Sequence, residues 1–445
     1  MKKYIEPNLA SGFRDYLPQD AAAREWMVET IKKVFKRFGF APLETPGVEQ
    51  EEILTGGDPN FKKQIFKLNL SGQDEKTALR FDLTVPLARV VASYSNELPK
   101  PWKRYQIGNV WRGERAQAGR FREFIQFDAD IVGASDMAAD AELVSLMYET
   151  MTALGLKEFI IRMNNRKILN ALSEYAGFPE GKTEKVLRTM DKLDKVGWSG
   201  VEKELAMKDW AGLGKESIKL IKKFLEVNGK NEEIISKASM LFKDSKAAEE
   251  GISELENLAG NLKALGVPEK NWQIDLSVAR GLGYYTGPVF ETVLTDYPEL
   301  GSVFSGGRYD DLVSRFSSSN IPATGVSVGV DRLFVALKKF GLLPDFKSPA
   351  QVLILNFDKA SEEVCEELAS DLRRSGISAE FYFGQEKNLK GQLNYAVKQN
   401  YPVVLIIGEE ERKKKVVQIK NMKERVQEAV PREDVLNYLK NFLGI

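Results

Sequence analysis

The sequence predicts an α+β fold in which a core built on an antiparallel sheet with flanking helices is interrupted by a helical insertion and followed by a separate α/β module. Three observations predict it. Tyr105 to Trp111 and Arg122 to Val132 read as two strands joined by a charged loop with glycines, the pattern of an antiparallel hairpin. Lys167 to Gly266 is lysine-rich, poor in β-branched runs and carries helical spacing such as Val186, Met190, Leu193. From Ser348 onward, strand-like and helix-like segments alternate.

In chain order, Met27, Ile31, Val34 and Phe35 recur at helical spacing between Asp20 and Phe38, and Gly39 ends that helix before an extended Phe40 to Pro46. Thr77 to Val91 alternates arginine and carboxylate with apolar residues. Ser135 or Asp136 caps a helix whose Leu143, Leu146, Met147 and Leu154 share one face, and Gly155 stops it; this helix is expected to cover the sheet. After the insertion, Trp272 to Val278, Val289 to Leu294 and Thr324 to Val330 return as strands. The last module reads as strand Val352 to Leu355, helix Ser361 to Arg374, strand Ala379 to Phe383, helix Leu389 to Gln399, strand Val403 to Ile407, strand Val416 to Ile419 and helix Arg432 to Phe442. The expected domains are 1–166, 167–266, 267–343 and 348–445.

Composition excludes several chemistries. The 445 residues contain one cysteine, Cys365, and no histidine, which removes internal disulfides, thiolate zinc sites, Ser-His-Asp and Cys-His arrangements and imidazole bases. The 64 basic and 64 acidic side chains leave no net field to draw the chain to polyanions. Residues 181–230 hold 12 basic against 8 acidic side chains, a mild excess that fits either a polyanion or a solvated helical face. The cluster Arg412 to Lys415 fits either an RNA contact or a charge run at a hairpin tip, and electrostatics alone does not decide between them. No apolar h-region follows the N-terminus and no run is long enough for a membrane span, so a cytoplasmic protein with no membrane partner is expected.

The chemistry-bearing residues cluster. Gly281-Leu-Gly283-Tyr-Tyr-Thr-Gly287 imitates a dinucleotide fingerprint, but it is GxGxxxG and runs into the strand-like Val289 to Leu294, so no helix N-terminus is offered to a pyrophosphate. Period two places Gln126, Asp128 and Asp130 on one sheet face. Arg80, Arg112, Arg280, Arg308 and Arg332 sit beside glycine or on strand-like stretches, and arginines converging on one floor would clamp phosphates.

Trp111-Arg112-Gly113-Glu114 followed by Phe121-Arg122-Glu123-Phe124 resembles motif 2 of class II aminoacyl-tRNA synthetases, Gly325-Val-Ser-Val-Gly329-Val-Asp331-Arg332 resembles their motif 3, and Phe40 to Pro46 is similar to motif 1, the family's dimer element. Ala279-Arg280-Gly281-Leu282-Gly283-Tyr284-Tyr285 and Gly306-Gly307-Arg308-Tyr309-Asp310 are similar to the two peptides peculiar to histidyl-tRNA synthetases. The resemblance covers nearly the whole chain. It implies a split class II catalytic core, the helical insertion and a C-terminal anticodon-binding domain, in a homodimer that uses ATP and Mg²⁺ to join L-histidine to tRNA(His).

The resemblance also implies residue roles. Arg112 would hold the α-phosphate of ATP, with Glu114 on the nucleotide and Arg120 near the γ-phosphate. Phe124 and Arg332 would sandwich adenine. Asp82 and Thr84 would receive the amino group of histidine, while Gln126, Asp130, Tyr284 and Tyr285 would shape the imidazole pocket. Arg280 would stabilise charge at the α-phosphorus, and no metal ligand is expected among the side chains. Gly283 departs from the family pattern, which usually has aspartate there. The alternative is a catalytically inactive, histidine-sensing regulatory paralogue, against which the retained Arg112, Arg280 and Arg332 and the C-terminal module stand.

Overall fold

The computed structural model describes residues 5–56, 65–69, 75–113, 121–279, 283–344, 348 and 350–444. The chain divides into two compact units, one of residues 1–16 and 24–343 and one of residues 17–23 and 344–445.

The first unit is organised by an eight-stranded mixed sheet and a small three-stranded one. In chain order the strands are β1 (Ala41–Pro42), β2 (Val48–Gln50), β3 (Phe66–Leu68), β4 (Thr77–Leu79), β5 (Trp102–Trp111), β6 (Glu123–Val132), β7 (Phe159–Asn165), β8 (Trp272–Ile274), β9 (Pro288–Leu294), β10 (Phe304–Arg308) and β11 (Ala323–Gly329). The large sheet runs β1-β5-β6-β11-β10-β9-β7-β8 and the small one β2-β4-β3. The six inner strands of the large sheet are antiparallel, as the hairpin pattern predicts, and only the two edge strands, β1 on β5 and β8 on β7, pair in parallel.

Alternation along β6 decides which face is core. Phe127, Ala129 and Ile131 are buried on one side, where the helix Pro18–Arg37 lays Phe35 against Phe127 at a ring separation of 4.7 Å and against Tyr105 at 6.3 Å. Burying side chains such as Met27, Ile31 and Phe35 stabilises the fold by roughly 1.5–3 kcal/mol each. The helix Met137–Ala153 packs under the same face; Asp136 caps it by accepting from the Ala138 N–H at 2.7 Å, and its Asp140 reaches Thr324 of β11 at 2.9 Å. The opposite face carries Gln126, Asp128 and Asp130.

Several local expectations change. The extended stretch 40–46 shortens to the two residues of β1, and strand structure after Thr77 ends at Leu79. A helix begins at Thr84 and runs to Ser93, started by the Asp82 carboxylate, which accepts from the Val85 N–H at 3.2 Å. Val330 opens a helix, Val330–Lys339, instead of closing β11. Between β7 and β8 the described chain contains no strand; its longer helices are Thr183–Met190, Leu193–Ala206, Lys215–Leu225, Asn231–Leu241 and Lys246–Ala264.

The second unit contains β12 (Val352–Ile354), β13 (Ala379–Phe381), β14 (Val403–Ile406), β15 (Val416–Asn421) and β16 (Val426–Pro431), ordered β13-β12-β14-β15-β16. Successive residues of β12 and Leu355 just after it feed opposite cores: Val352 and Ile354 pack with Leu368 and Leu372 of the helix Glu362–Arg374, and Leu353 and Leu355 pack with Tyr382, Ala396 and Tyr401. β16 escapes a hydrophobicity reading because Val426 to Ala429 are exposed along an edge. The Arg412 to Lys415 cluster is not a hairpin tip. Its first three residues close the short helix Glu409–Lys414, where Lys413 and Lys414 pair with Glu409 and Glu410 one turn back at 2.6 and 3.4 Å.

Candidate active site

The polar face of β6 and β11 floors a cleft of about 380 Å³. Register makes the floor. Gln126, Asp128 and Asp130 lie opposite Gly329, Ser327 and Gly325 on one side and opposite Gly108, Gln106 and Arg104 on the other. Gly325 is required by close approach: a Cβ there would stand 1.9 Å from the Asp130 Oδ1. Gly307, its partner on β10, similarly leaves room for the Tyr285 ring, whose Cδ1 would meet a Cβ at 2.9 Å. Gly325→Ala should push the Asp130 carboxylate aside, costing about 1–3 kcal/mol by overpacking, visible as a lower urea midpoint.

Buried charge dominates the floor. Arg104 is wholly buried and pairs with the Asp130 Oδ2 at 2.7 Å, while the Tyr309 hydroxyl donates to the Asp130 Oδ1. Burial holds the Asp130 carboxyl above its ordinary range against the pull of both partners. Burial lifts Asp128 to about 7, opposed by Arg104 and reinforced by the neighbouring Asp130. Asp82 is lifted to about 6 by burial, with the Val85 N–H and the Arg112 charge pulling back, and its Oδ2 has no hydrogen-bond partner among the described residues. The Tyr284 and Tyr285 rings meet at 5.0 Å, tilted by 59°, and burial raises both phenols, so they enter as neutral donors.

The mouth is cationic and aromatic. Arg112 donates from Nε to the Phe81 carbonyl at 3.1 Å, and its guanidinium lies 5.0 Å from the Phe124 ring centre. Arg332 is held by the Ser302 carbonyl at 2.8 Å. Beside it, Asp331 Oδ1 collects Arg14 and Arg24 at 2.9 Å and the Tyr16 hydroxyl at 2.5 Å, and Arg14 also lies 3.8 Å over Phe121. The N-terminal segment thus ties the start of the Val330–Lys339 helix to the entry of β6.

Of the residues expected at the site, Asp82, Thr84, Arg112, Phe124, Gln126, Asp130, Tyr284, Tyr285 and Arg332 all line this one cleft. Glu114, Arg120 and Arg280 lie outside the described residues. Two of the five converging arginines do not reach it. Arg80 binds the carbonyls of Asn109 and Thr45 at 2.9 and 2.7 Å, and Arg308, one step out of phase with Gly307, points to the core face and pairs with Asp140. Arg104 and Tyr309 were not singled out by sequence, although pairing the two strands of the hairpin would set Arg104 against Asp130. A side chain at Gly283 would come within 3.9 Å of Glu184 on the helix Thr183–Met190, so the residue that departs from the pattern faces a carboxylate.

Comparison with known proteins places this geometry. Residues 12–333 match the family model described as histidyl-tRNA synthetase, and residues 351–442 match that of the anticodon binding domain. The structure superimposes on the crystal structure of histidyl-tRNA synthetase from a Nostoc species with a TM-score of 0.85 at 33% identity, covering 98% of this chain and 100% of that one. The antiparallel floor, its flanking helices and the C-terminal module are therefore those of a class II aminoacyl-tRNA synthetase. The histidine–tRNA ligase of Clostridium tetani is 40% identical over 445 residues, 99% of each chain, and that of Wolinella succinogenes is 43% identical over 422 residues, 94% of each. The chain belongs to the histidyl-tRNA synthetase family. The family implies use of ATP, and among the described residues no helix is long and apolar enough to cross a membrane.

Proposed function

We propose that the chain is a histidine–tRNA ligase that activates L-histidine with ATP to histidyl-adenylate and transfers the histidyl group to the 3′ end of tRNA(His). The observation that carries this reading is the union, in one cleft, of a buried carboxylate floor with a mouth of arginines and an aromatic ring. Asp82, with one carboxylate oxygen unpartnered among the described residues, and Thr84 receive the ammonium group. Gln126, Asp130, Tyr284 and Tyr285 shape the ring pocket. Arg112 grips the α-phosphate, and Phe124 and Arg332 enclose adenine, a use suited to a π-face and a guanidinium plane. Glu114, Arg120 and Arg280 complete the nucleotide contacts as the resemblance implies.

In the first step an oxygen of the histidine carboxylate bonds to the α-phosphorus as the bond to pyrophosphate breaks. The protein supplies position and charge and needs no side-chain base, which suits a chain without histidine. Mg²⁺ enters with the ATP phosphates as part of the substrate. The working domains are a catalytic core in two parts, 1–166 and 267–343, a helical insertion at 167–266 and the anticodon-binding domain at 348–445, in a cytoplasmic homodimer built through the motif 1 region.

The test is charging of a tRNA(His) transcript with labelled histidine. Product that requires ATP and Mg²⁺ and disappears with a tRNA bearing another anticodon and acceptor stem is expected. Adenylate formation with no transfer to any tRNA would contradict the transfer half of the reading.

A further inference from the structure

None of the residues assigned to ATP or histidine precedes Asp82, yet the N-terminal segment reaches the nucleotide end of the cleft from two sides. On one side it holds the entry of β6. The Arg122 N–H donates to the Gly12 carbonyl at 2.8 Å, the Arg122 Nη1 donates to the Ser11 carbonyl at 3.2 Å, and the Arg14 guanidinium lies 3.8 Å from the centre of the Phe121 ring. The Arg122 carbonyl in turn accepts from the Arg112 N–H at 2.8 Å. On the other side it holds Asp331, the residue before Arg332: Arg14, Tyr16 and, from the first helix, Arg24 donate to one Asp331 oxygen at 2.9, 2.5 and 2.9 Å. Arg112, Phe121, Asp331 and Arg332 all line the cleft. A single guanidinium, that of Arg14, therefore touches both walls.

We propose that Arg14 is a positioning residue for ATP: bridging Phe121 and Asp331, it sets the spacing between Arg112 and Arg332, the two arginines that the nucleotide engages. The inference rests on the functional reading above and deepens it at the nucleotide end. Two guanidinium groups repel each other, so in the unliganded cleft their separation has to be imposed by the walls that carry them. Arginine suits the bridge, because a planar and permanently charged group can lie over a ring and donate to a carboxylate at once. Burial pushes the Asp331 carboxyl above its ordinary range, and Arg24, Arg14 and the Ile125 N–H of β6 pull it back, so the bridge and its anchor support each other.

Arg14 is 26% exposed, and Tyr16 and Arg24 remain on Asp331 without it, so Arg14→Ala should still fold. In pyrophosphate exchange Arg14→Ala should raise the KM for ATP by about tenfold while the KM for histidine stays within about twofold. Arg14→Lys keeps the charge beside Asp331 but loses the planar fork, and its KM for ATP should fall between those of Arg14→Ala and the unmodified protein. Asp331→Asn breaks the same bridge, so adding Arg14→Ala to it should raise the KM for ATP little further.

A lower melting temperature with both KM values unchanged would mean that Arg14 only braces the fold, and would overturn the proposal. So would equal rises in the KM for ATP and for histidine, or losses from Arg14→Ala and Asp331→Asn that simply add. If the unmodified protein supports exchange with no amino acid, the functional reading fails instead. Calorimetric titration of Mg²⁺-ATP into the unmodified and Arg14→Ala proteins still decides the role of Arg14, with binding about tenfold weaker in the variant expected and equal binding contradicting it.

Discussion

Arg112→Ala should lower histidine-dependent pyrophosphate exchange by about 10²–10³-fold, chiefly in the rate constant, the loss seen when a preorganised donor at a developing charge is removed. Arg112 is preorganised by its surroundings. Its Nε is committed to the Phe81 carbonyl at 3.1 Å, its guanidinium lies 5.0 Å from the Phe124 ring centre, and the residue lines the cleft. Lysine would not substitute, because a point charge cannot bind the Phe81 carbonyl and two phosphate oxygens at once. Arg112→Lys should therefore recover less than about a tenth of the lost activity, as judged by single-turnover adenylate formation. Full activity in either variant would remove Arg112 from the phosphate site.

Arg104→Met should destabilise the first unit by about 3–5 kcal/mol at pH 8, because it strands the Asp130 carboxylate inside the protein. The sign of the pH dependence follows from the floor itself. Burial already holds Asp130 above its ordinary range. Without Arg104 it moves higher, and a carboxylate raised above its unfolded value favours folding below that value and loses the benefit as pH rises through the folded one. The Arg104→Met deficit should accordingly shrink toward pH 5, and adding Asp130→Asn should restore part of the stability at pH 8. Urea unfolding at the two pH values measures both. A deficit independent of pH would mean that the Arg104 contribution is packing rather than charge.

The elements that position the site were legible because they follow short periods. The alternation in Glu123–Val132 carries both the core residues Phe127 and Ala129 and the site residues Gln126, Asp128 and Asp130, and the strand pairs as that period requires. The resemblance then brought together residues far apart in the chain, from Asp82 to Arg332, and the described ones do line one cleft.

What stayed hidden depends on contacts between distant segments. Arg308 looks like a phosphate ligand in sequence, and only the β10–β11 register turns it toward Asp140. Arg80 beside Asp82 reads as part of the floor, yet it is spent on the carbonyls that end the extended stretch near Thr45. Asp331 precedes the expected adenine ligand, and nothing local says that Arg14, Tyr16 and Arg24 converge on it from more than 300 residues away. The helix at Thr84–Ser93 was obscured by Val85, Val90 and Val91, whose strand preference is overridden by burial of that helix under the sheet margin. The exposed β16 offers no hydrophobic signal and is held by its ladder to β15.

The most direct test of the account is pyrophosphate exchange into ATP with purified protein and Mg²⁺, without tRNA, offering each of the twenty amino acids singly. The carboxylate floor and arginine mouth predict exchange with histidine alone. Silence with all twenty, or exchange with a different amino acid, would contradict the assignment of this cleft to histidine activation.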